Sequence, residues 1–324
     1  MSYRPTHFNK LAEDFILPKD EARGIDPYVF NEDIVIAIDV ALATNRPLLI
    51  SGNPGCGKSR LADAVAAVQE WNLLGKTITS RTRLEELTVE IDHLRRLNDA
   101  HSKAEDAKLR PDAFYQNPGI FWWAFHPSSA RYRGMSSDQA KRYEVNLTFP
   151  GTRRGRVWQH PVVLLIDEID KAEPDLPNDL LEPLDRRSFG LPDGGKIEGK
   201  PDLAILTLIT TNGERELPQA FLRRCITLEL PDPGKKQLIG IGQKHFPRGD
   251  SGRIEKIAQK MEQFRTKARE QRRRPPGTSE FLDAIRACEE LGIDVDENDH
   301  DKKDSVWARI ENAILVKEPR RERG

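Results

Sequence analysis

The stretch that decides the fold is Gly52-Asn53-Pro54-Gly55-Cys56-Gly57-Lys58-Ser59, which fits the pattern GxxxxGK followed by Ser or Thr in full. It follows the short apolar run 47–51 and opens an alanine-rich helical pattern over 59–70. Glycines at these places let the backbone wrap closely around phosphate groups, with N–H groups and a helix N-terminus facing the negative charge. The sequence therefore predicts a phosphate-binding loop between a buried strand and a helix.

The side chains of this loop have separate predicted roles. Lys58 is expected to reach the β- and γ-phosphates of a bound nucleotide and Ser59 to hold Mg²⁺. Without a ligand, Lys58 is expected to face solvent. Cys56 could be a redox switch, but an inert small residue is the favoured interpretation. The predicted nucleotide-binding residues are Gly52, Asn53, Pro54, Gly55, Cys56, Gly57, Lys58, Ser59 and Arg60.

A second pattern supplies carboxylates. The apolar run 162–166 ends in Asp167 and Glu168. Ligands bind at the carboxyl ends of the strands in α/β sheets. We expect Asp167 to hold Mg²⁺ through water and Glu168 to polarise the attacking water. The pattern is weak alone, but it is strong when paired with the phosphate loop upstream.

Polar residues also follow the next two patterned segments. The strand predicted over 203–211 leads into Asn212, which could orient the lytic water or simply form a turn before Gly213. Arg223 and Arg224 end a short predicted helix, 218–222. A planar guanidinium can stabilise charge on a transferring phosphoryl group, and an ordinary surface charge is the alternative.

The remaining patterns outline the architecture. Strands alternate with helical patterns, which favours an α/β fold with a parallel sheet and helices on both faces. After a break at 231–234, only helical patterns follow. Other predicted elements are a helix over 31–44 capped by Asn31, a strand at 77–79, an amphipathic helix through Leu84, Leu87, Ile91, Leu94 and Leu97, a strand at 226–230, and helices at 235–243, 254–269, 279–290 and 306–316. The aromatic run 121–125 could be a ligand platform, but core packing is favoured.

Composition narrows the class of protein. The 324 residues carry 51 basic and 52 acidic side chains, a net charge of −1, which argues against a generic nucleic-acid coat protein. Two basic clusters, 153–156 and 272–274, are interpreted as solvated loops or local basic patches. No apolar run is long enough for a membrane span, and the three cysteines are too scattered for a disulfide framework. A cytoplasmic protein without a membrane partner is expected.

Together these motifs resemble those of the AAA+ ATPases, and more closely those of the MoxR-type branch. That branch belongs to the helix-2-insert group, which also contains dynein-like and McrB-like modules. The resemblance is carried by "RPLLISGNPGCGKSRLADAVA", "VVLLIDEIDKAEPDLPNDLLEPLDRRSF", "ITTNGERELPQAFLRRC" and "RPPGTSEFLDAI". It implies a parallel-sheet P-loop NTPase core followed by an all-helical lid. It also implies that 52–59 is Walker A and Asp167-Glu168 is Walker B. Asn212 is then sensor 1, and Arg224, with Arg223 beside it, is an arginine finger that acts on a neighbouring subunit's nucleotide. A ring-shaped homo-oligomer, with a hexamer expected, follows from the resemblance.

Two departures from the family pattern stand out. Related lids often carry a basic sensor 2 residue near the start of the helix at Thr278, where this chain has Ser279 and Glu280. Either Arg274 takes the place of the sensor 2 residue, or the chain has no sensor 2. In addition, residues 126–160 separate the aromatic run from Walker B, and their length and polar composition predict an insertion that recognises a partner.

The predicted domains are an N-terminal arm (1–30), a nucleotide-binding domain (31–231, with the insertion 126–160), a helical lid (232–318) and a charged tail (319–324).

The resemblance implies a chaperone-like remodeller of a protein partner, such as one with a von Willebrand A domain. The alternative is a nucleic-acid-stimulated motor that drives a separate effector such as a nuclease. The near-neutral charge favours the first. A scaffold that binds ATP without turnover is disfavoured by Glu168.

Overall fold

The computed structural model describes residues 3–11, 15–101, 110–151, 161–200, 202–293, 295, 309–310 and 312–316. These residues form two compact units. The first unit takes its residues from Met1–Leu11, Asn31–Ser51 and Val65–Leu228, and the second from Ala12–Phe30, Gly52–Ala64 and Glu229–Gly324. By its contacts, the phosphate loop therefore groups with the C-terminal helices.

The secondary structure is distributed along the whole described chain. The strands are β1 (Ile16–Leu17), β2 (Tyr28–Val29), β3 (Leu48–Ser51), β4 (Asn72–Thr77), β5 (Val89–Ile91), β6 (Gln116–Pro118), β7 (Val162–Asp167), β8 (Ser188–Gly190), β9 (Lys196–Glu198), β10 (Ile205–Thr211) and β11 (Ile226–Glu229). The α-helices are α1 (Glu32–Thr44), α2 (Lys58–Gln69), α3 (Leu84–Leu87), α4 (His93–His101), α5 (Ile120–Phe125), α6 (Pro127–Arg131), α7 (Ser137–Arg142), α8 (Leu176–Asp179), α9 (Leu181–Arg186), α10 (Gln219–Leu222), α11 (Lys235–His245), α12 (Ser251–Glu270) and α13 (Thr278–Leu291). Among the described residues, no helix is both long enough and apolar enough to cross a bilayer.

The central element of the first unit is a five-stranded sheet in the order β11-β3-β10-β7-β4. The pairs β3–β10, β10–β7 and β7–β4 are parallel, with Thr211 opposite Ser51 and Thr77 opposite Asp167. The carboxyl ends of these four strands consequently lie at one edge. The predicted α/β fold with a parallel sheet is confirmed.

The helix predicted over 31–44 is confirmed as α1. Asn31 is extended (φ −106°, ψ 172°), and its Oδ1 accepts the N–H of Ile34 at 2.8 Å. A side-chain oxygen in this place satisfies one of the donors that an α-helix leaves unpaired at its N-terminus. The cap explains why α1 begins where the sequence indicates.

The predicted amphipathic helix through Leu84 and Leu97 is wrong. The segment is divided into α3, β5 and α4, and β5 pairs antiparallel with the distant β6. Leu87 is fully buried, but Leu94 and Leu97 are 70% and 53% exposed, so the second half of the apolar stripe does not enter the core. Pairing with residues far along the chain overrides the local spacing here. The strand predicted at 77–79 is likewise displaced, because β4 ends at Thr77.

The aromatic run belongs to the core, as the favoured interpretation predicts. Phe121, Trp122, Trp123 and Phe125 are all nearly fully buried. Trp123 meets Phe149 edge to face, with the ring centroids 5.8 Å apart. Their role is buried apolar bulk rather than a ligand platform.

The described part of the predicted insertion, residues 126–151, contains secondary structure and buried side chains. It contains α6 and α7, and its residues Met135, Ala140 and Val145 form a small apolar cluster with Phe114 and Tyr115. The basic cluster at 153–156 lies outside the described residues. A segment that supplies buried side chains is anchored to the first unit at those points.

The second unit has its own apolar core, built on α11, α12 and α13. Its most buried side chains include Leu238, Ile257, Met261, Phe281 and Ile285. The predicted lid helices at 235–243, 254–269 and 279–290 correspond to these three helices. Of the helix predicted over 306–316, Asn312–Val316 form a π-helical turn, and most of the rest lies outside the described residues.

The N-terminal segment is fastened to α1 mainly by the carboxylate of Asp39, so we expect Asp39→Asn to destabilise the first unit. Buried Asp39 accepts the Tyr3 hydroxyl (2.6 Å) and the backbone N–H groups of Thr6, His7 and Phe8 (2.6–2.9 Å). An amide in its place directs an NH₂ at these donors. The expected loss in the free energy of unfolding is about 1.5–3 kcal/mol, measurable by urea denaturation near neutral pH.

The loss of stability in Asp39→Asn should depend on pH. Burial raises the pKa of Asp39, but the hydrogen bonds from Tyr3 and from the three backbone N–H groups outweigh it and lower the pKa below its ordinary value. A lowered folded-state pKa adds stability above the ordinary carboxyl pKa, and this stability is lost as the pH falls through the folded value. The gap between wild type and Asp39→Asn should therefore shrink in acid. A gap no larger than that of the exposed control Asp33→Asn would contradict this role.

Candidate nucleotide site

The phosphate loop has the backbone that its glycines predict. Gly52, Gly55 and Gly57 have φ values of 153°, 83° and 103°, a region that L side chains rarely adopt. A Cβ at Gly52 would lie 2.5 Å from the carbonyl oxygen of Leu230, and one at Gly55 would lie 2.7 Å from Ser279 Oγ. The second unit thus holds a cradle that only glycine permits.

Lys58 is directed into this loop rather than into solvent. It is only 6% exposed, and its Nζ donates to the carbonyl oxygens of Gly52 (2.7 Å) and Asn53 (3.0 Å). The expectation of a solvent-facing Lys58 is therefore wrong. The wrapped loop presents its own carbonyl groups to the ammonium, which compensates for lost hydration.

Cys56 lies beside Lys58, with Sγ 4.0 Å from Nζ. Burial raises the pKa of the Cys56 thiol above its ordinary value, although the Lys58 ammonium opposes the change. A raised pKa keeps the sulfur protonated, and a thiol is far less reactive than a thiolate. These properties favour the inert interpretation of Cys56.

Hydrogen bonds join the tip of the loop to the start of α13 within the second unit. The carbonyl oxygen of Gly55 accepts the N–H groups of Thr278 (2.9 Å) and Ser279 (3.3 Å). Arg274 Nη2 donates to the carbonyl oxygen of Pro54 at 3.2 Å. Glu280 instead caps the helix, because its Oε2 accepts the Gly277 N–H at 3.0 Å. Arg274 is thus placed at the loop, and its role as a substitute sensor 2 stays a prediction.

Two further predicted ligands, Ser59 and Arg60, follow Lys58 in α2. Ser59 lies in the first turn of this helix. Arg60 Nη2 pairs with Asp26 at 2.6 Å, and its Nη1 is 3.7 Å from Asp63. Arg60 is therefore engaged with carboxylates of its own unit.

In the first unit, one hydroxyl joins Asp167, which ends β7, to Glu168, which follows it. Thr210 Oγ1 donates to Asp167 Oδ1 at 2.5 Å and accepts the Glu168 N–H at 2.9 Å. Glu168 has φ 61° and ψ 49°, a conformation that costs a non-glycine residue about 1–3 kcal/mol. Sequence reasoning missed Thr210, although a polar end to the apolar strand β10 was a signal.

Asn212 is brought next to Glu168. Its Nδ2 donates to Glu168 Oε1 at 3.4 Å, and its backbone N–H donates to buried Asp170 Oδ2 at 3.1 Å. Lys171 Nζ is 2.6 Å from Glu168 Oε2, and this contact raises the pKa of Lys171. A carboxylate that accepts from an amide and an ammonium is held in place, as a general base requires. Sequence reasoning also missed Asp170 and Lys171.

The two predicted arginines follow α10 in the first unit. The Arg224 Nε pairs with Asp185 Oδ2, and its Nη1 donates to the carbonyl oxygen of Ala220 at 3.0 Å. Arg223 is exposed. The first unit therefore presents a carboxylate pair, an amide and a half-exposed guanidinium, while the second presents a phosphate cradle with a buried ammonium.

Comparison with models of known protein families agrees with this chemistry. Residues 47–225, more than half of the chain, match the model of the AAA domain, dynein-related subfamily. No curated protein matches the chain. The matched range begins just before β3 and ends just after α10, so it includes every residue proposed for catalysis.

Proposed function

The chain belongs to the dynein-related subfamily of AAA domains, and from this premise we propose that it is a MoxR-like ATPase that remodels or activates a protein partner. AAA domains are ATPases, and the chain is accordingly an ATP hydrolase. The MoxR-like role goes beyond the family. It is supported by the sequence stretches that resemble MoxR-type proteins, and the hydrogen bonds that connect the phosphate loop to α13 provide a way to couple ATP to movement.

The donor groups fit Mg-ATP. The loop offers a cradle that a Cβ would fill, together with the Lys58 ammonium. Ser59 and Asp167 offer the oxygen ligands that Mg²⁺ prefers. When bound, Mg²⁺ neutralises phosphate charge. Glu168 takes the proton of the attacking water, Asn212 orients the Glu168 carboxylate, and Arg224 of a neighbouring copy stabilises charge on the transferred phosphoryl group.

The observation that carries the coupling is the pair of N–H groups donated to Gly55. Thr278 and Ser279 open α13, whose Phe281 and Ile285 are fully buried in the core of the second unit. A change at the tip of the loop therefore acts directly on a rigidly packed helix. This is how binding and release of the γ-phosphate would move the helices against a partner.

Glu168→Gln tests the catalytic assignment. The amide keeps the shape and most hydrogen bonds of the carboxylate but cannot accept the proton of water. We expect ATP affinity to change little and turnover to fall about 10²–10⁴-fold, measured by phosphate release beside equilibrium binding. The exposed neighbour Glu173→Gln is the matched control and should keep turnover. Loss of binding would instead make Glu168 a structural or metal-binding group.

A protein partner is favoured over nucleic acid by the charge balance of 51 basic and 52 acidic residues. Of the basic cluster 272–274, Arg274 is engaged with Pro54, and the cluster 153–156 lies outside the described residues. We propose a partner such as a protein with a von Willebrand A domain, recognised through residues 126–160, and a cytoplasmic setting.

The test is the ATPase rate with and without DNA or RNA. We expect the rate to stay unchanged within about twofold, because the proposed partner is a protein. Stimulation by nucleic acid would support the McrB-like motor instead. Glu168→Gln serves as the background control, since a contaminating ATPase would survive that substitution.

A further inference from the structure

One side chain, Arg46, holds the backbone that follows α10. Its Nε donates to the carbonyl oxygen of Arg224 at 3.1 Å, and its Nη2 donates to those of Arg223 and Cys225, the latter at 3.2 Å. Helix ends leave carbonyl groups without intrahelical partners. A planar guanidinium can satisfy several acceptors in a fixed geometry, which a lysine cannot reproduce. Arg46 therefore fixes the main chain on both sides of Arg224.

The backbone around Arg46 is itself held in place by neighbouring elements. It follows Asn45, which ends α1 in the left-handed conformation (φ 54°) and accepts Arg187 Nη2 at 3.0 Å. It precedes Pro47, whose carbonyl oxygen accepts the Ile226 N–H at 2.8 Å. The guanidinium is thus carried by the junction of a helix and two strands rather than by a loop tip.

A second residue, Asp185, holds the side chain of Arg224. It lies near the end of α9 and pairs with the Nε edge of Arg224, while Arg224 Nη1 donates to Ala220. In the part of the chain that the structure describes, Arg224 Nη2 has no hydrogen-bond partner. One edge of the guanidinium is therefore fixed, and one amino group remains for a ligand.

We propose that Arg46 and Asp185 are positioning residues for the arginine finger. Arg46 fixes the backbone of 223–225, and Asp185 turns the Arg224 guanidinium, so the finger is formed before it meets a neighbouring subunit's nucleotide. This inference rests on the proposed role of Arg224 as the finger. Groups that stabilise transition-state charge act best when they are ordered in advance.

Arg46→Ala should lower ATP turnover about 100-fold, because a displacement of about 1 Å at the finger is enough for such a loss. ATP affinity should stay unchanged, since the variant keeps its own phosphate loop. Asp185→Ala should show a smaller loss, about tenfold, because one hydrogen bond to a charged group is removed. The exposed Arg269→Ala of α12 is the control. Should Arg46→Ala fail to fold, Arg46→Lys replaces it, with an intermediate loss expected.

A mixing experiment separates positioning from a general structural effect. Because β3 also leads into Gly52, Arg46 could instead act on its own loop. When Arg46→Ala is mixed with Lys58→Ala, the first supplies an intact loop and the second an intact finger, so turnover should partly recover. Loss without recovery in co-assembled rings, or no loss at all, would overturn the inference.

Arg224→Ala, measured in parallel, shows whether a failure concerns the positioning roles or the proposed finger itself. If Arg224→Ala retains turnover, the finger assignment itself fails. If Arg224→Ala loses turnover while Arg46→Ala and Asp185→Ala do not, only the positioning roles fail.

Discussion

Arg224→Ala is expected to bind ATP with nearly wild-type affinity and to lose about 10³–10⁵-fold in turnover. The reason is the role proposed for Arg224: its guanidinium would contribute to another subunit's site, where it would meet charge that develops only during phosphoryl transfer. Within its own chain, the Arg224 guanidinium pairs with Asp185 of α9. Turnover is measured by phosphate release, and affinity by equilibrium binding of ATP.

The assembly is tested by mixing Arg224→Ala with Lys58→Ala. The first brings a working loop and the second a working finger, so a ring should recover part of its activity. Head-to-tail contacts close only by rotation, and a ring, with a hexamer expected, is therefore the proposed active unit. Mixing that restores nothing, although the variants co-assemble, would exclude Arg224 and leave Arg223 to be tested. Full activity of a monomer would count against the ring.

Lys58→Ala should abolish tight nucleotide binding and, with it, turnover. The ammonium is already desolvated inside the loop, where it contacts the carbonyl groups of Gly52 and Asn53. Exchange of these acceptors for phosphate oxygens gives charge-assisted hydrogen bonds worth about 1.5–3 kcal/mol each. Loss of two such bonds corresponds to about 10²–10⁴-fold in Kd. Titration calorimetry with ATP measures it.

A second variant separates charge from packing, because Lys58 is buried. Lys58→Met keeps most of the side-chain volume and should lose binding as Lys58→Ala does, with a melting temperature closer to wild type. The exposed lysine of α11, in Lys244→Ala, is the matched control for the removal of one positive charge. Wild-type ATPase rates in either Lys58 variant would contradict the assignment of the loop.

Local patterns predicted those parts whose conformation is set by near neighbours in the chain. Asn31 caps α1 because its side chain reaches an N–H three residues away, and glycines are required at 52, 55 and 57 because of their backbone angles. The apolar run before Asp167 indicates a buried strand for a similar reason. Each of these signals lies within a few residues.

The same reasoning failed where contacts come from far along the chain. The apolar spacing after Leu84 predicted one helix, but pairing between β5 and β6 divides it. The spacing of apolar residues cannot predict such pairing, because the partner strand lies outside the short stretch of sequence that is being read.

The sequence by itself determined the family, the parallel sheet and the identity of the phosphate loop and acidic pair, because each depends on short motifs with fixed backbone requirements. Only the tertiary structure decided that Thr210 links Asp167 to Glu168, that Arg46 and Asp185 hold Arg224, and that the loop groups with α13. These contacts join residues about 40 to more than 200 positions apart. Their hydrogen bonds depend on distances of about 3 Å that form only when the strands and helices pack.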